Sequence, residues 1–398
     1  MSRSRILVLN QYYAPAFEST GQLLTRLCEE LAHDWDVTVL TGASEAPVPA
    51  RESQNGVDVV RVFSTGFERR RLSLRALNYL TYVLSSLRHA FAAPRPDLVV
   101  CMTDPPFIPT VAWLVARRHR VQYVAIVQDV FPEIAVELRR LENPALVRFL
   151  DTFVGFGLRR ANRVVAIGET MRSRLIEKGL RPHRIEVIRN WVDANELQPM
   201  PKDNAWAREH DLADAFVVMH SGNVGYAQNL DVLVRASTLL RDLDRLRFVV
   251  IGSGARQADL VDLRDRLDAD RFIFLPYQSR QVLPLSLSAA DLHFVGLARG
   301  LSGYVVPSRM NGVLSVARPV LVGADPESEI VQVVETVGCG ISVLPGRADL
   351  VAGAIRDAYE GRYDLDEMGR RGREYVLSEI DERISIERYR RLFAGLLG

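Results

Sequence analysis

The chain has 398 residues, of which 48% are hydrophobic and 25% charged, and its formal net charge is +1. This composition is typical of a soluble globular protein, and the length favours two domains over one. A net charge so close to zero supplies no overall field for nucleic acid, so we expect no nucleic-acid partner. The charge is unevenly distributed along the chain. Residues 1–200 carry a surplus of about five positive charges, and residues 201–398 carry a surplus of about four negative charges.

Cysteine usage and hydropathy exclude several further classes of protein. The three cysteines lie far apart in apolar runs: Cys28, Cys101 and Cys339. Their spacing predicts neither a disulfide framework nor a metal site, and we expect no metal and no bound cofactor. The first apolar run is too short for a signal peptide, and no uncharged stretch of about 18 apolar residues occurs. We therefore expect a cytoplasmic protein without a transmembrane helix.

Short apolar, β-branched runs alternate with helical patterns along the whole chain. Seven strands are predicted in the first half: Ile6–Leu9, Val37–Leu40, Val57–Val62, Leu98–Val100, Tyr123–Ile126, Arg163–Ala166 and Ile185–Ile188. Six are predicted in the second half: Phe216–His220, Phe248–Ile251, Phe272–Leu275, Leu292–Val295, Pro319–Val322 and Ile341–Val343. Apolar strands separated by helices indicate parallel sheets covered on both faces. Two such series predict an α/β fold of two Rossmann-like, doubly wound lobes.

The polar, proline-punctuated segment 193–203 marks the expected join between the lobes. We place the first lobe at residues 1–195 and the second at residues 196–378. Residues 379–398 form a charged amphipathic helix that belongs to the second lobe or crosses back to the first. Ligands of such sheets bind beyond the carboxyl ends of the strands, so the loops that follow strands are the candidate sites.

Three loops that follow predicted strands contain glycine. Gly21 lies in the first turn of a helix, where free N–H groups and the dipole favour an anion, although a glycine that only eases packing fits equally. Gly222 opens a loop in which Asn223 and Gln228 are able to donate to phosphate or sugar oxygens. The loop 252–254 reads GxG without the third glycine of a dinucleotide fingerprint, which counts against a nicotinamide dehydrogenase.

The loop 299–309 is the most informative, because it ends in Pro307-Ser308-Arg309 at a predicted helix start. In the first turn of a helix, the cation of Arg309 opposes the dipole by about 0.3–1 kcal/mol. A bound anion reverses that sign, and a diphosphate suits the site. The alternative is an exposed arginine that is tolerated at this small cost.

Together these motifs resemble glycosyltransferase family 4 of the GT-B fold, in the branch of colanic-acid-type and O-antigen-type polysaccharide assembly. The matching stretches are Leu9–Pro15 with Thr20–Gln22, Gln128–Glu133, Ser221–Asn223 with Gln228, Leu275–Gln278, Val306–Arg309, and Asp325–Glu329 before Gly338–Gly340. They occur in family order and cover nearly the whole chain. The resemblance implies two lobes facing a central cleft, the first binding the acceptor and the second the nucleotide sugar.

The resemblance also implies a role for individual residues. The donor diphosphate would meet six of them: Gly21, Gly222, Asn223, Gln228, Ser308 and Arg309. Tyr277 and Gln278 would flank the nucleobase. The transferred sugar would meet the loop 300–306, in which four residues would present backbone N–H groups: Ser302, Gly303, Tyr304 and Val305.

The sequence departs from the family's pattern at three places. Most members carry an arginine and a lysine in the loop after Gly222; here they are an asparagine and a glutamine, so Arg309 carries more of the charge. The ribose-binding glutamate falls on Gly312. The frequent catalytic histidine falls on Gln128, and Asp129 is the nearest replacement unless it only caps the next turn. Asp129 and Arg309 are therefore the candidate catalytic residues.

The implied chemistry is that of a retaining, metal-independent hexosyltransferase. Its donor would be a UDP or GDP sugar, and its acceptor a saccharide, a lipid-linked saccharide or a small molecule. The chain has no Asp-x-Asp and no carboxylate pair with an obvious spacing for double displacement. The leaving phosphate would take the acceptor's proton while the protein stabilises the departing diphosphate. The alternatives are a sugar-nucleotide epimerase of the same fold, a natural-product glycosyltransferase, and a solute-binding protein, which the missing leader disfavours.

One surface segment suggests a membrane partner. The segment Phe67–Leu84 is basic at its start and apolar thereafter, and Arg117–Arg120 adds further charge. Such a surface is attracted to anionic lipid, which suits a lipid-linked acceptor and a peripheral position at the inner face of the cell membrane. A solvated helix start followed by a core helix is the alternative.

Overall fold

The computed structural model describes residues 3–15, 19–43, 48–65 and 72–398. The chain divides into two compact units, one of residues 1–189 with 386–398 and the other of residues 190–385. We call them the first and the second unit. The boundary at residue 189 lies six residues ahead of the expected one at 195.

The first unit is built on a sheet of eight strands. These are β1 (Arg5–Leu9), β2 (Asp36–Thr41), β3 (Arg51–Gln54), β4 (Val57–Arg61), β5 (Leu98–Met102), β6 (Gln122–Val127), β7 (Arg163–Ala166) and β8 (Ile185–Val187). Their spatial order is β3-β4-β2-β1-β5-β6-β7-β8. β1 pairs in parallel with both β2 and β5, so the strand order reverses beside β1.

Helices cover the sheet of the first unit. They are α1 (Ser19–Leu31), α2 (Leu72–Ala92), α3 (Ile108–His119), α4 (Glu133–Glu137), α5 (Pro144–Arg160) and α6 (Glu169–Glu177). Every residue of β5 is buried, as expected of a parallel strand that is covered on both faces. Among the helices in the described ranges, none combines the length and apolarity that crossing a membrane requires.

The second unit has a six-stranded parallel sheet of order β11-β10-β9-β12-β13-β14. Its strands are β9 (Phe216–Ser221), β10 (Leu246–Ile251), β11 (Phe272–Leu275), β12 (Leu292–Gly296), β13 (Val320–Gly323) and β14 (Gly340–Val343). Its helices are α7 (Ala205–Glu209), α8 (Asp231–Ser237), α9 (Gln257–Arg266), α10 (Leu283–Ser288), α11 (Arg309–Ser315), α12 (Glu329–Val337), α13 (Ala348–Tyr359) and α14 (Leu365–Tyr375). The strand order reverses between β9 and β12, so both units have the doubly wound arrangement predicted from the sequence.

All thirteen predicted strands are present, but the prediction missed β3, which pairs antiparallel with β4. The two strands are joined by Asn55 and Gly56, whose φ angles are 49° and 82°. Positive φ at both positions is the signature of the tight hairpin turn that Asn-Gly favours. The strand was missed because the segment RESQ carries no apolar residue.

The last helix, α15 (Glu382–Leu397), ends in the first unit. The guanidinium of Arg390 lies 2.9 Å from the carboxylate of Asp34 and 3.3 Å from that of Glu30. The ring of Phe393 is fully buried, with its centroid 6.5 Å from that of Trp35. The end of the chain is therefore part of the first unit's core.

Replacing Phe393 with alanine should destabilise the first unit by about 3–5 kcal/mol, because the change leaves a cavity in place of a buried ring. The matched control is Phe63→Ala in the same unit, where 67% of the side chain is exposed. We expect that control to change the free energy of unfolding by no more than about 0.5 kcal/mol. Urea unfolding measures both, and equal losses would contradict a core role for Phe393.

Candidate functional site

The candidate site lies at the carboxyl edge of the second unit's sheet. β9 and β12 are neighbours there, and the chain leaves them in opposite directions across the sheet. Such a reversal opens a crevice between the two outgoing loops. The loop after β9 contains Gly222, Asn223 and Gln228, and the loop after β12 leads to Ser308 and Arg309. The fold therefore brings all five residues to one edge.

The crevice contains a cation, Arg309, that has no carboxylate partner among the residues the structure describes. The Nη1 of Arg309 is 3.2 Å from Nδ1 and 3.4 Å from Nε2 of His220, the fifth residue of β9. No carboxylate in the described ranges lies within 4 Å of the guanidinium. The imidazole is completely buried. Arg309 is thus held by a neutral ring, and its charge is not cancelled.

The electrostatics of this pair follow from burial. Burial, reinforced by the neighbouring guanidinium, lowers the pKa of His220 to about 3. The ring is therefore neutral near pH 7. When Nε2–H donates to the carbonyl oxygen of Asn223, 3.3 Å away, Nδ1 keeps the lone pair that accepts an N–H from Arg309. Burial also lowers the pKa of Arg309 to about 10. That shift records how poorly the surroundings solvate the positive charge. An anion in the crevice would relieve this penalty.

Glycines allow the loops after β9, β10 and β12 to pack with their backbones in direct contact. A Cβ on Gly252 would lie 2.0 Å from the carbonyl oxygen of Gly222, and one on Gly254 would lie 2.3 Å from that of Val224. A Cβ on Gly296, at the end of β12, would lie 2.1 Å from the carbonyl oxygen of Gln228. The GxG after β10 is therefore explained by loop packing. This packing fixes the loop that begins at Gly222, which follows His220 by two residues.

The side chains predicted to flank a nucleobase lie after β11. Tyr277 is 56% exposed, and its hydroxyl is 3.4 Å from the carbonyl oxygen of Ser253. The amide of Gln278 accepts a hydrogen bond of 3.0 Å from the indole of Trp206 and donates one of 2.9 Å to Pro276. The ring of Tyr277 is thus exposed to solvent, while Gln278 is already oriented by its protein neighbours.

The loop after β12 offers fewer free backbone N–H groups than the sequence suggested. The Gly300 N–H donates to the carboxylate of Asp325 at 2.7 Å, and the Tyr304 N–H donates to Leu301 at 3.1 Å. Ser302 is 2% exposed and forms an isolated bridge with Val305. These contacts tighten the loop. Of the four predicted sugar contacts, Tyr304 has already used its N–H.

The first unit contributes a second set of residues at its own carboxyl edge. Gly21 is buried in the first turn of α1, and its carbonyl accepts a hydrogen bond of 2.9 Å from Thr25. Asp129 is exposed just after β6, beside Gln128, which is 8% exposed. Gln11 follows β1 at the point where strand order reverses and is 3% exposed. Neither polar atom of its side chain has a hydrogen-bond partner among the described residues.

The predicted residues therefore fall into two groups, one in each unit. Eleven belong to the second unit: Gly222, Asn223, Gln228, Tyr277, Gln278, Ser302, Gly303, Tyr304, Val305, Ser308 and Arg309. Gly21 and Asp129 belong to the first unit. Sequence reasoning assigned no role to His220, Trp206 or Gln11. A histidine near the end of a buried parallel strand is a usable signal for the first of them, because such a strand is otherwise apolar.

Comparisons with known proteins give glycosyltransferases as similar proteins along nearly the whole chain. The family model "Glycosyl transferase 4-like domain" matches residues 20–191, and "Glycosyl transferases group 1" matches residues 203–375. The chain is 26% identical to the probable glycosyltransferase WbjE of Pseudomonas aeruginosa over 395 residues, covering 97% of this chain and 96% of WbjE. It is 25% identical to the putative colanic acid biosynthesis glycosyl transferase WcaI of Escherichia coli K12 over 374 residues, covering 89% and 92%. The crystal structure of Anabaena HepE with UDP-glucose has a TM-score of 0.76 at 17% identity, covering 98% of this chain and 100% of HepE, and is similar in fold.

Replacing Gly252 with alanine should distort the crevice, because φ is 129° there and the new Cβ would collide with Gly222. We expect a loss of about 1–3 kcal/mol of unfolding free energy. The matched control is Gly353→Ala in α13, where a Cβ meets nothing within 4 Å. That change should stabilise the helix by up to about 1 kcal/mol. Thermal unfolding compares the two, and equal effects would refute the packing role of Gly252.

Proposed function

Because the chain belongs to the glycosyltransferases that join a glycosyl transferase 4-like domain to a glycosyl transferases group 1 domain, we propose that it transfers a hexose from a nucleoside-diphosphate sugar to a hydroxyl acceptor with retention of configuration. The observation that carries the proposal is the partly buried guanidinium of Arg309, held by a neutral His220. A guanidinium that is held in place and keeps its positive charge is suited to bind a diphosphate. The UDP-glucose bound to HepE supports UDP as the donor's nucleotide, and GDP is the other candidate.

Arg309 has the properties that catalysis of diphosphate departure requires. When the bond from the sugar to the β-phosphate breaks, negative charge grows on the leaving oxygen. A fixed cation that need not reorganise stabilises this charge more in the transition state than in the bound donor. His220 fixes the guanidinium without neutralising it. A carboxylate at the same place would fix it equally well but would cancel the charge.

The proposed reaction balances without a metal ion or a covalent intermediate. The C1–O bond to the β-phosphate breaks, and the acceptor oxygen forms a bond to C1 on the same face. The acceptor's proton passes to the departing diphosphate. Asp129 is proposed as a polar contact for the reacting groups, in the place where the family carries a histidine. Activity that survives a chelator, with a product of retained anomeric configuration by NMR, supports this scheme.

The other donor contacts are proposed from the same edge of the second unit. Tyr277 offers its exposed ring face to the nucleobase, and stacking of a base on such a ring is worth about 1–3 kcal/mol. Gly222, Asn223, Gln228 and Ser308 would contact the diphosphate. Ser302, Gly303 and Val305 would contact the sugar.

For the acceptor we propose a saccharide in cell-surface polysaccharide assembly, because the name of WcaI places that relative in colanic acid biosynthesis. The growing saccharide would be lipid-linked, with the enzyme working in the cytoplasm at the inner face of the membrane. Of the segment predicted to contact that membrane, residues 67–71 lie outside the described residues.

In the first unit, the buried amide of Gln11 suits a sugar hydroxyl, because both its polar atoms lack partners among the described residues.

Arg309→Ala should weaken UDP or GDP binding by about 1.5–3 kcal/mol, the range for a charge-assisted contact. The matched control is Arg266→Ala, at the end of α9, where the chain re-enters the sheet at its amino edge. Calorimetry on the folded variants, preceded by a thermal-shift screen against UDP, GDP, dTDP and ADP with NAD as control, makes the comparison. Unchanged affinity for the variant would remove Arg309 from the diphosphate site. Failure of every nucleotide to bind the native chain would overturn the proposed function.

The role of His220 is tested by a pair of substitutions of equal size, His220→Asn and His220→Asp. Both supply an acceptor to Arg309, but aspartate also neutralises its charge. We expect the aspartate variant to bind the nucleoside diphosphate at least about tenfold more weakly than the asparagine variant near neutral pH. The difference should shrink as the pH falls and the aspartate protonates. Equal affinities at all pH values would show that the histidine acts only through packing.

In the native protein the low pKa of His220 keeps the ring neutral, so it should impose no pH dependence on nucleotide affinity between about pH 5 and pH 8. Thermal unfolding of both variants is the control for folding, because the histidine is completely buried.

A further inference from the structure

Trp206 is a buried tryptophan of the second unit whose indole N–H donates to the side chain of Gln278. The Trp206 side chain is 4% exposed, and its Nε1 lies 3.0 Å from Oε1 of Gln278. The two residues are 72 positions apart, one on α7 and the other in the loop after β11. A buried indole N–H needs an acceptor, because a buried donor without one is costly. The hydrogen bond therefore ties the loop side chain to the interior of the unit.

The position of Trp206 is set by its surroundings. Its ring belongs to an apolar cluster with Met219 of β9 and Ile251 of β10. It also stacks on the imidazole of His210, with the ring centroids 4.3 Å apart, and Nδ1 of His210 donates to the carbonyl oxygen of Trp206 at 2.9 Å. The side chain of Asn204 caps α7 and donates to a carbonyl oxygen of α10. The indole N–H consequently has one fixed direction.

The hydrogen bond from Trp206 determines which way the amide of Gln278 faces. An indole N–H only donates and a carbonyl only accepts, so Oε1 faces Trp206 and Nε2 faces the carbonyl oxygen of Pro276, 2.9 Å away. The reversed amide would set N–H against N–H and oxygen against oxygen. Within the described residues this amide makes no other hydrogen bond. It therefore keeps one lone pair and one N–H for a ligand, in a fixed order.

The residue before Gln278 connects this amide to the candidate diphosphate site. A Cβ on Gly252 would lie 3.2 Å from the ring of Tyr277 and 2.0 Å from the carbonyl oxygen of Gly222. A Cβ on Gly222 would in turn lie 3.9 Å from Cδ of Arg309. These contacts form a continuous row along the edge of the sheet. A nucleotide with its diphosphate at Arg309 therefore has its base within reach of Tyr277 and Gln278.

The fixed order of donor and acceptor distinguishes two kinds of base. Uracil and guanine present a carbonyl oxygen beside a ring N–H, which we call the keto pattern. Cytosine and adenine present an amino group beside a bare ring nitrogen, so donor and acceptor are exchanged. An amide that is free to turn by half a rotation pairs with either kind. An amide held in one orientation pairs with one kind and opposes the other.

We propose that Trp206 is a positioning residue for nucleobase selection, which holds the amide of Gln278 in the orientation that pairs with a keto base. The proposal rests on the proposed function for UDP or GDP as the nucleotide, and it adds the group that would discriminate against CDP or ADP. Trp206 would act through Gln278 without touching the ligand. It would also raise affinity, because the glutamine has already lost its side-chain freedom when the base arrives.

The experiment compares Trp206→Phe with the native chain by calorimetry against UDP, CDP, GDP and ADP. Phenylalanine keeps an aromatic ring in the apolar cluster but removes the N–H. We expect the keto nucleotide to bind about three- to tenfold more weakly, the range for one lost hydrogen bond, and its preference over the amino base of the same ring size to shrink. Affinity for inorganic pyrophosphate, measured by competition, should stay unchanged, because pyrophosphate reaches Arg309 without meeting Gln278.

Gln278→Met tests whether Trp206 acts through the amide, because methionine has a similar length and only a weakly accepting sulfur. In that background Trp206→Phe should leave nucleotide affinity unchanged, since the hydrogen bond is already absent. The matched control is Trp113→Phe, which removes an indole from the first unit. It should bind every nucleotide like the native chain. Thermal unfolding of each variant checks that the binding experiments are made on folded protein.

Three results would overturn the proposal while the native chain still binds nucleotides. Unchanged affinity and base preference in Trp206→Phe would show that the hydrogen bond is not used. An equal loss of pyrophosphate affinity would show that Trp206 only supports the edge of the sheet. Additive losses in the double variant would show that it does not act through Gln278. A native chain that binds none of the four nucleotides would instead overturn the proposed function, and this inference with it.

Discussion

The candidate site depends on one contact, the guanidinium of Arg309 held against a buried neutral imidazole. A buried cation is usually paired with a carboxylate, since an unpaired charge is poorly solvated by protein. Here the burial of His220 and the nearness of Arg309 act together to keep the ring neutral. The contact therefore persists at neutral pH without cancelling the positive charge. A bound anion would offset the free-energy cost of desolvating the guanidinium.

The backbone around this contact is arranged to preserve it. His220 belongs to β9, which has hydrogen-bonded neighbours on both sides, so its position is set by the sheet. Arg309 begins α11, at the end of a loop that Asp325 ties down through the N–H of Gly300. The glycine packing between the loops after β9, β10 and β12 prevents the edge from spreading. A strand-borne acceptor and a clamped loop together give the rigidity that preorganised charge stabilisation needs.

The sequence predicted the elements well because the physics that selects them is local. Apolar runs mark parallel strands, and thirteen of the strands followed from them. β3 was missed because an edge strand that is open to water needs no apolar pattern, although Asn55-Gly56 marked its turn. The position of Arg309 in the loop after β12 was also predicted from local sequence alone. Its pairing with His220 was not, since 89 residues separate them and only the parallel register of β9 and β12 brings them together. The same limit hid the hydrogen bond from Trp206 to Gln278, which spans 72 residues.

A net charge of +1 conceals two different uses of charge. The second half of the chain is acidic on balance, yet its candidate site suits an anion. There is no conflict, because exposed carboxylates are screened over a Debye length of about 8 Å, while a poorly solvated guanidinium acts on a ligand in contact with it. In the first unit, arginines such as Arg117 and Arg160 are exposed, and exposed charges of this kind would act in number, since each adds about 1 kcal/mol near an anionic surface and none is decisive alone. The composition of a chain therefore gives information about exposed charges that act in number. It gives none about a single, poorly solvated charge that acts on a ligand in contact with it. A candidate anion site made by one partly buried arginine can be recognised only when the fold shows which groups lie beside that arginine.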